Sequence, residues 1–168
     1  MYDSNQGTAS GVQQLTFSLA GEEYGVDILT VREIRSWSRV TRIPQTPDYV
    51  LGVLNLRGAI VPIMDLRLRF GLKRESYGDE TVMIIVAIGE RLFGIVVDAV
   101  SDVIDIDPAA TRPVPDMGAV VDTRYLKGLV THEERMVMLL DVEKLMRPED
   151  VQTLDSALPT LREVEVAA

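Results

Sequence analysis

Apolar and polar residues along this chain recur mostly with a period of two. Leu15, Phe17 and Leu19 alternate with Thr16 and Ser18, the spacing of a strand. A turn at Gly21-Glu22-Glu23 follows, and a second strand starts beyond it. Val82 to Ile88 is an unbroken apolar run, rich in β-branched residues and bounded by Gly89, and it predicts a buried strand. Pro44, Pro47, Gly52, Gly58, Pro62 and Gly71 punctuate the chain often enough to keep the strands short. Helical signals are few. Thr46-Pro47-Asp48 offers an N-cap, a proline at the first helical position and an early acid, which predicts a short helix through Leu51. Asp122-Thr123-Arg124-Tyr125 is a second such start. From Glu149 onward, Val151, Leu154, Leu158 and Leu161 have helical spacing and predict an amphipathic C-terminal helix, kinked or interrupted at Pro159.

The pattern occurs twice. LTFSLAGEEYGV, residues 15–26, aligns with IIVAIGERLFGI, residues 84–95, at a shift of 69. Val31 and Ile34 meet Val100 and Val103 at the same shift. Later the shift becomes 76, and Tyr49, Gly52, Ile63, Asp65 and Leu66 meet Tyr125, Gly128, Leu139, Asp141 and Val142. The second copy therefore carries 7 extra residues, placed around Pro115 to Asp122. Two copies of one β unit are expected, about 15–70 and 82–146, joined by the polar segment GLKRESYGDE. Units this small need a shared interface to be stable.

Composition narrows the function. A net charge of −9 argues against a nucleic-acid binder, which needs a cationic footprint. There is no cysteine, so disulfides and thiolate metal sites are excluded, as fits a reducing compartment. No run of about 18 apolar residues occurs, so no membrane-spanning helix is expected. The first residues lack the basic and apolar regions of a signal peptide. Residues 1–12 are expected to form a flexible tail, 13–148 a single domain, and 149–168 the C-terminal helix and tail.

Groups able to do chemistry are scarce. His132, followed by two glutamates, has no second histidine with which to hold a metal, and a polar hairpin turn accounts for it. Phosphate-binding and nucleophile-elbow motifs are missing. Asp65 and Asp141 could form an acid/base pair, but their equivalence suggests that each ends a strand and caps the next turn. The informative positions are those where the copies differ. Asn55-Leu56-Arg57-Gly58 faces Thr131-His132-Glu133-Glu134, and VREIRSW (31–37) faces VSDVIDI (100–106). Arg57 stands in a strongly apolar stretch and needs a partner or a covering surface, and Glu33 is the natural candidate. Alternation puts Val31, Glu33 and Arg35 on one strand face and Arg32, Ile34 and Ser36 on the other. Trp37 fits either an interface anchor or a core side chain.

Several stretches arrive in order: EEYGVDI, VREI, RIPQTP, GVLNLRGAIVPIMDL and GIVVDAVSDV. Together they resemble the CheW family of bacterial chemotaxis coupling proteins over about 15–146. The resemblance implies an all-β fold of two SH3-like five-stranded barrels, the first about 15–70 and the second about 82–146, with short helices. It implies a non-catalytic adaptor without metal or cofactor. Its partners would be a CheA-type histidine kinase, through the kinase's CheW-like regulatory domain, and the cytoplasmic tip of a methyl-accepting chemoreceptor. The protein would be cytoplasmic and recruited to membrane-associated receptor arrays, without inserting into the membrane. Carried over by position, Ile28, Val31, Glu33, Asn55, Arg57, Gly58, Gly94 and Asp98 would face the receptor, and Ile34, Arg35 and Val40 the kinase. The alternative is an adaptor of the same kind in another kinase pathway, such as pili or motility regulation.

Overall fold

The computed structural model describes residues 12–73, 76–115, 123–146 and 150–152. Ten strands account for most of them: β1 Val12–Leu19, β2 Glu22–Asp27, β3 Val31–Ser36, β4 Val50–Leu56, β5 Ala59–Asp65, β6 Val82–Ile88, β7 Arg91–Val97, β8 Ala99–Ile106, β9 Leu126–His132 and β10 Arg135–Leu140. A single-turn helix, α1, spans Leu66–Arg69, and four 3-10 turns cover Ile28–Thr30, Pro108–Ala110, Thr123–Tyr125 and Val142–Lys144. The expected all-β class with two five-stranded lobes holds.

The strands form two sheets, β3-β6-β7-β5-β4 (lobe I) and β8-β1-β2-β10-β9 (lobe II). This corrects the expected boundary between the lobes. Neither lobe is one repeat, because each repeat lends its first hairpin to the other. Hairpin β1–β2 sits among β8, β9 and β10, and hairpin β6–β7 sits among β3, β4 and β5. The two registers superimpose at the sequence shifts. Leu15 faces Val103 in lobe II as Ile84 faces Ile34 in lobe I. Leu139 runs parallel beside Gly25 as Ile63 runs beside Gly94. Even the bulge repeats: Arg32 is the extra residue of β3, as Ser101 is of β8.

The exchange explains why the two hairpins are so apolar. Their first strands have a buried environment on both faces. Ile84 and Val86 join Leu15, Phe17 and Leu19 in the core shared by the lobes, whereas Met83 and Ile85 fill the interior of lobe I with Leu56, Val61, Ile63 and Val96. Lobe II has its own interior of Ile104, Ile106, Val130, Val137 and Leu139. The counterparts of Met83 and Ile85 there are polar, Gln14 and Thr16. Thr16 is satisfied by Asp102, donating to its carbonyl at 3.2 Å and accepting from its amide at 3.1 Å.

Two further expectations need correction or bounding. Thr46 does not open a helix. Its hydroxyl donates to the Ile43 carbonyl, a turn follows, and Val50 onward is already strand β4, whose ladder with β5 outweighs the local cap signal. Of the predicted C-terminal helix only Asp150–Gln152 lie within the described residues, in helical conformation. The remainder of that helix, residues 1–11 of the expected tail and the cap at Asp122 lie outside them, and Val12, expected to end the tail, already belongs to β1. Asp150 accepts a hydrogen bond from the hydroxyl of Tyr49. Nearby, the Arg69 guanidinium lies 4.6 Å from the ring centres of both Tyr49 and Tyr125, residues equivalent in the two repeats. Arg69 also donates to the Leu145 carbonyl, so α1 and the last 3-10 turn are tied together where the repeats meet.

Asp65 and Asp141 act as the sequence suggests. Asp65 ends β5 and accepts from the Leu68 amide, and Asp141 directly follows β10 and accepts from the Glu143 amide. Asp65 also accepts from the Tyr77 hydroxyl at 2.6 Å.

Candidate functional site

The corner where the repeats differ most is built by the β4–β5 hairpin and strand β3. Leu56 pairs with Ala59, leaving a two-residue turn at Arg57 and Gly58 with φ of 51° and 92°. Such a turn requires left-handed backbone at both residues and matches the twist of the flanking strands. Glycine meets that demand at the second position, while Arg57 accepts it at the cost of strain. Asn55 stabilises the turn, its Oδ1 accepting from the Gly58 amide at 2.8 Å.

The turn aims Arg57 at Glu33. Arg57 Nη2 donates to Glu33 Oε1 at 2.9 Å, and Arg35 Nη1 donates to Glu33 Oε2 at 2.8 Å. One carboxylate is thus held by two guanidiniums, an oxygen each. Strands β3 and β4 are the two edges of lobe I, so the Glu33–Arg57 bridge joins opposite edges and marks where the sheet curls round on itself. The Arg57 side chain is 76% exposed and that of Glu33 24%. Arg57 is therefore not a buried cation in an apolar stretch; it stands at the tip of a hairpin with its head group over a half-buried acid. The hydrogen bond from Arg57, then that from Arg35, holds the Glu33 carboxyl below the ordinary carboxylate range, and Glu33 in turn raises Arg57. The cluster is intact above the ordinary carboxylate pKa. It comes apart only as pH falls through the depressed value of Glu33.

Lobe II cannot reproduce this corner. The equivalents of Glu33, Arg35 and Arg57 are Asp102, Ile104 and Glu133. Asp102 turns to its neighbour, accepting from the Val103 amide at 2.8 Å. Glu133 and Glu134 occupy the turn with φ of 50° and 68°, which confirms the polar hairpin expected at His132.

The other proposed residues fall in different settings. Ile28 and Val31 are half-buried against the shared core. Ile34 is on the opposite face of β3 from Glu33, with 45% of its surface exposed. Arg35 faces inward with Glu33. Val40 and Trp37 pack on the lobe I interior, with Trp37 4.2 Å from the Tyr77 ring, so tryptophan here is a packed side chain. Gly94 is buried on β7, where an added Cβ would meet Ile63 Cδ1 at 2.4 Å. Its small size serves the parallel pairing of β5 and β7.

Asp98 is a clamp. Arg67 donates to it twice, Nε to Oδ1 at 2.9 Å and Nη2 to Oδ2 at 2.6 Å, and the Ala20 amide donates to Oδ2 at 2.9 Å. The carboxylate therefore links α1, the β1–β2 turn and the β7–β8 junction. Burial pushes Asp98 up, but the Arg67 hydrogen bond and the Ala20 amide outweigh it and leave the carboxyl below its ordinary range. Asp98→Asn is expected to cost about 1 kcal/mol near pH 7, discounted for solvent access, or about 2–4 °C in Tm. The deficit is present above the ordinary carboxylate pKa and should vanish as pH falls through the depressed value, which thermal melts between pH 7 and pH 3 would show. Arg67 carried no sequence signal, since its partner lies 31 residues away on another element.

Among the described residues no group of three or more His, Cys, Asp or Glu could hold a metal ion, and no helix is long and apolar enough to cross a membrane.

Comparison with known proteins agrees with this architecture. A family model described as the CheW-like domain matches residues 13–150. The chain is 47% identical over 150 residues to the chemotaxis protein CheW of Klebsiella aerogenes, covering 89% of this chain and 90% of that protein. It is 32% identical over 151 residues to CheW of Bacillus subtilis, covering 89% and 94%. Among solved structures, the scaffolding protein TtCheW from Thermoanaerobacter tengcongensis superimposes with a TM-score of 0.76 at 34% identity, covering 83% of this chain and 90% of that one. With a domain model that spans both lobes and relatives matched over nearly their full length, the chain belongs to the CheW family.

Proposed function

We propose that the protein is a non-catalytic adaptor that couples chemoreceptor cytoplasmic tips to a CheA-type histidine kinase in chemotaxis signalling arrays. Membership of the CheW family across both lobes carries this reading. The Glu33–Arg57 corner gives it a physical form. Half-buried Ile28 and Val31 offer apolar surface to the side chains of a helical tip. Arg57, held by Glu33 and by the Asn55–Gly58 turn, fixes the register of that helix more than it supplies affinity. Gly94 and Asp98 support this face from within, the first by close strand packing and the second by clamping α1. Ile34, exposed on the other face of β3, belongs to the kinase side, whereas Arg35 turns to Glu33 and Val40 to the lobe I interior. The protein works at the cytoplasmic face of the membrane, recruited through its partners.

Titration calorimetry against the regulatory domain of a CheA-type kinase, and separately against a receptor tip fragment, tests the proposal. Saturable binding of both is the expected result. Binding of neither would overturn it.

A further inference from the structure

We propose that Arg35 is a positioning residue for the Arg57 corner: it holds the Glu33 carboxylate in place so that Glu33 can present Arg57 to a partner. The inference rests on the reading of that corner as a docking site, and it moves Arg35 away from the kinase side.

The geometry comes first. Glu33 and Arg35 are two residues apart on one strand, so their side chains leave the same face. Arg35 takes Glu33 Oε2 and leaves Oε1 for Arg57, so the two guanidiniums do not compete. Arg57 is a long side chain at a hairpin tip, and in isolation it would sample many rotamers that binding would have to freeze. An acid fixed by a second guanidinium on a strand removes much of that freedom. The second partner also changes the charge. Two arginines on one carboxylate leave the corner with a net single positive charge, exposed at Arg57, which favours an acidic or carbonyl group on the partner.

The repeat supplies an independent argument. The equivalent of Arg35 in lobe II is Ile104, 3% exposed in that lobe's interior. A lobe of this fold therefore accepts an aliphatic residue at this position and does not need a guanidinium. Arg35 even carries a folding cost, since its Nε is buried without a hydrogen-bond partner. The three residues of the corner are present together in lobe I, and all three are replaced in lobe II.

Arg35→Ile tests this, with Arg35→Gln as the second variant should the first fail to fold. Three quantities are read: affinity for a receptor tip fragment, affinity for the kinase regulatory domain, and the Glu33 carboxyl titration by carbon-detected NMR. The expected result is a tip affinity lowered by about threefold to tenfold, unchanged kinase affinity, an unfolding temperature within a few degrees of wild type, and a Glu33 midpoint moved upward. An unmoved Glu33 midpoint overturns the proposal, because a merely structural arginine would leave that midpoint alone. Unchanged tip affinity in a background where Arg57→Ala does lose it also overturns it, as does a loss confined to the kinase. If Arg57→Ala itself leaves tip affinity intact, the docking reading has failed instead, and the Glu33 titration still decides whether Arg35 orders the corner.

Discussion

Arg57→Ala is expected to weaken binding to a receptor tip by at least about tenfold while leaving the fold and the kinase interaction in place. The separation follows from exposure. With three quarters of its side chain in solvent, Arg57 contributes little to the cores of the lobe. Removing it leaves Glu33 paired with Arg35, so no acid is stranded. At a docked interface the same guanidinium is desolvated, and a central arginine is then among the residues that matter most. Arg57→Glu, which copies the residue of lobe II, should be worse, since it sets two carboxylates side by side and repels an acidic partner. Calorimetry at low and moderate salt, with melting curves alongside, provides the check. A parallel loss of stability and of both partners would show that Arg57 is structural.

Gly52→Ala is expected to damage the fold more than any substitution at the corner. Gly52 lies on β4, an edge strand covered by the segment at Thr41. Thr41 and Val53 exchange two backbone hydrogen bonds, of 2.9 and 2.7 Å. A Cβ on Gly52 would sit 2.1 Å from the Thr41 carbonyl oxygen and 2.7 Å from its carbon. Backbone cannot step aside as a side-chain end can, so the covering segment must leave and both bonds go with it. Overpacking of 1–3 kcal/mol plus two lost hydrogen bonds comes to about 3–5 kcal/mol, a fall in Tm of roughly 10 °C or more. The repeat offers a graded control. Gly128 holds the same place in lobe II, but there the nearest atom is Thr111 Cγ2 at 2.4 Å, with the Arg112 carbonyl oxygen at 2.9 Å. Gly128→Ala should therefore cost less. Gly58→Ala meets nothing within 4 Å and carries only the strain of its φ, a cost of about 1 kcal/mol. Thermal melts of the three variants should rank in that order.

The repeat was legible to the residue, and every strand pair that tests it falls at the two shifts. The partnership between hairpins was not legible. Self-comparison establishes that β1 is equivalent to β6, and that β6 must lie beside a strand like β3. It cannot say whether that strand comes from the same copy or the other, because both arrangements satisfy the same residues. Periodicity carries no information about chain crossings of this kind. The Glu33–Arg57 pair was legible because the copies diverge there and because an arginine in an apolar stretch demands an acid. Arg35 was set on the same face as Glu33 by alternation and on the kinase side by the resemblance, and only the distances show that it shares the carboxylate. The turn at Thr46 misled because cap signals are local, whereas Val50 to Leu56 are claimed by a ladder formed with residues beyond the next turn. Asp98 was placed by its motif alone, with no hint that three elements would meet on it.

The exchanged hairpins set the order in which the protein can be completed during synthesis. Hairpin β1–β2 leaves the ribosome before the rest of its lobe, and that lobe is the one that finishes last. Its neighbours begin at Ala99, roughly 80 residues after Leu19, a wait of about 4–16 s at ordinary translation rates. Lobe I can close earlier, once β7 has emerged. Until β8 to β10 follow, Leu15, Phe17, Leu19, Tyr24 and Val26, all destined for almost complete burial, stay uncovered beside an already finished lobe. That uncovered apolar hairpin is where a chaperone has most to hold. It also gives two neighbouring nascent chains their clearest opportunity to complete each other's lobes instead of their own.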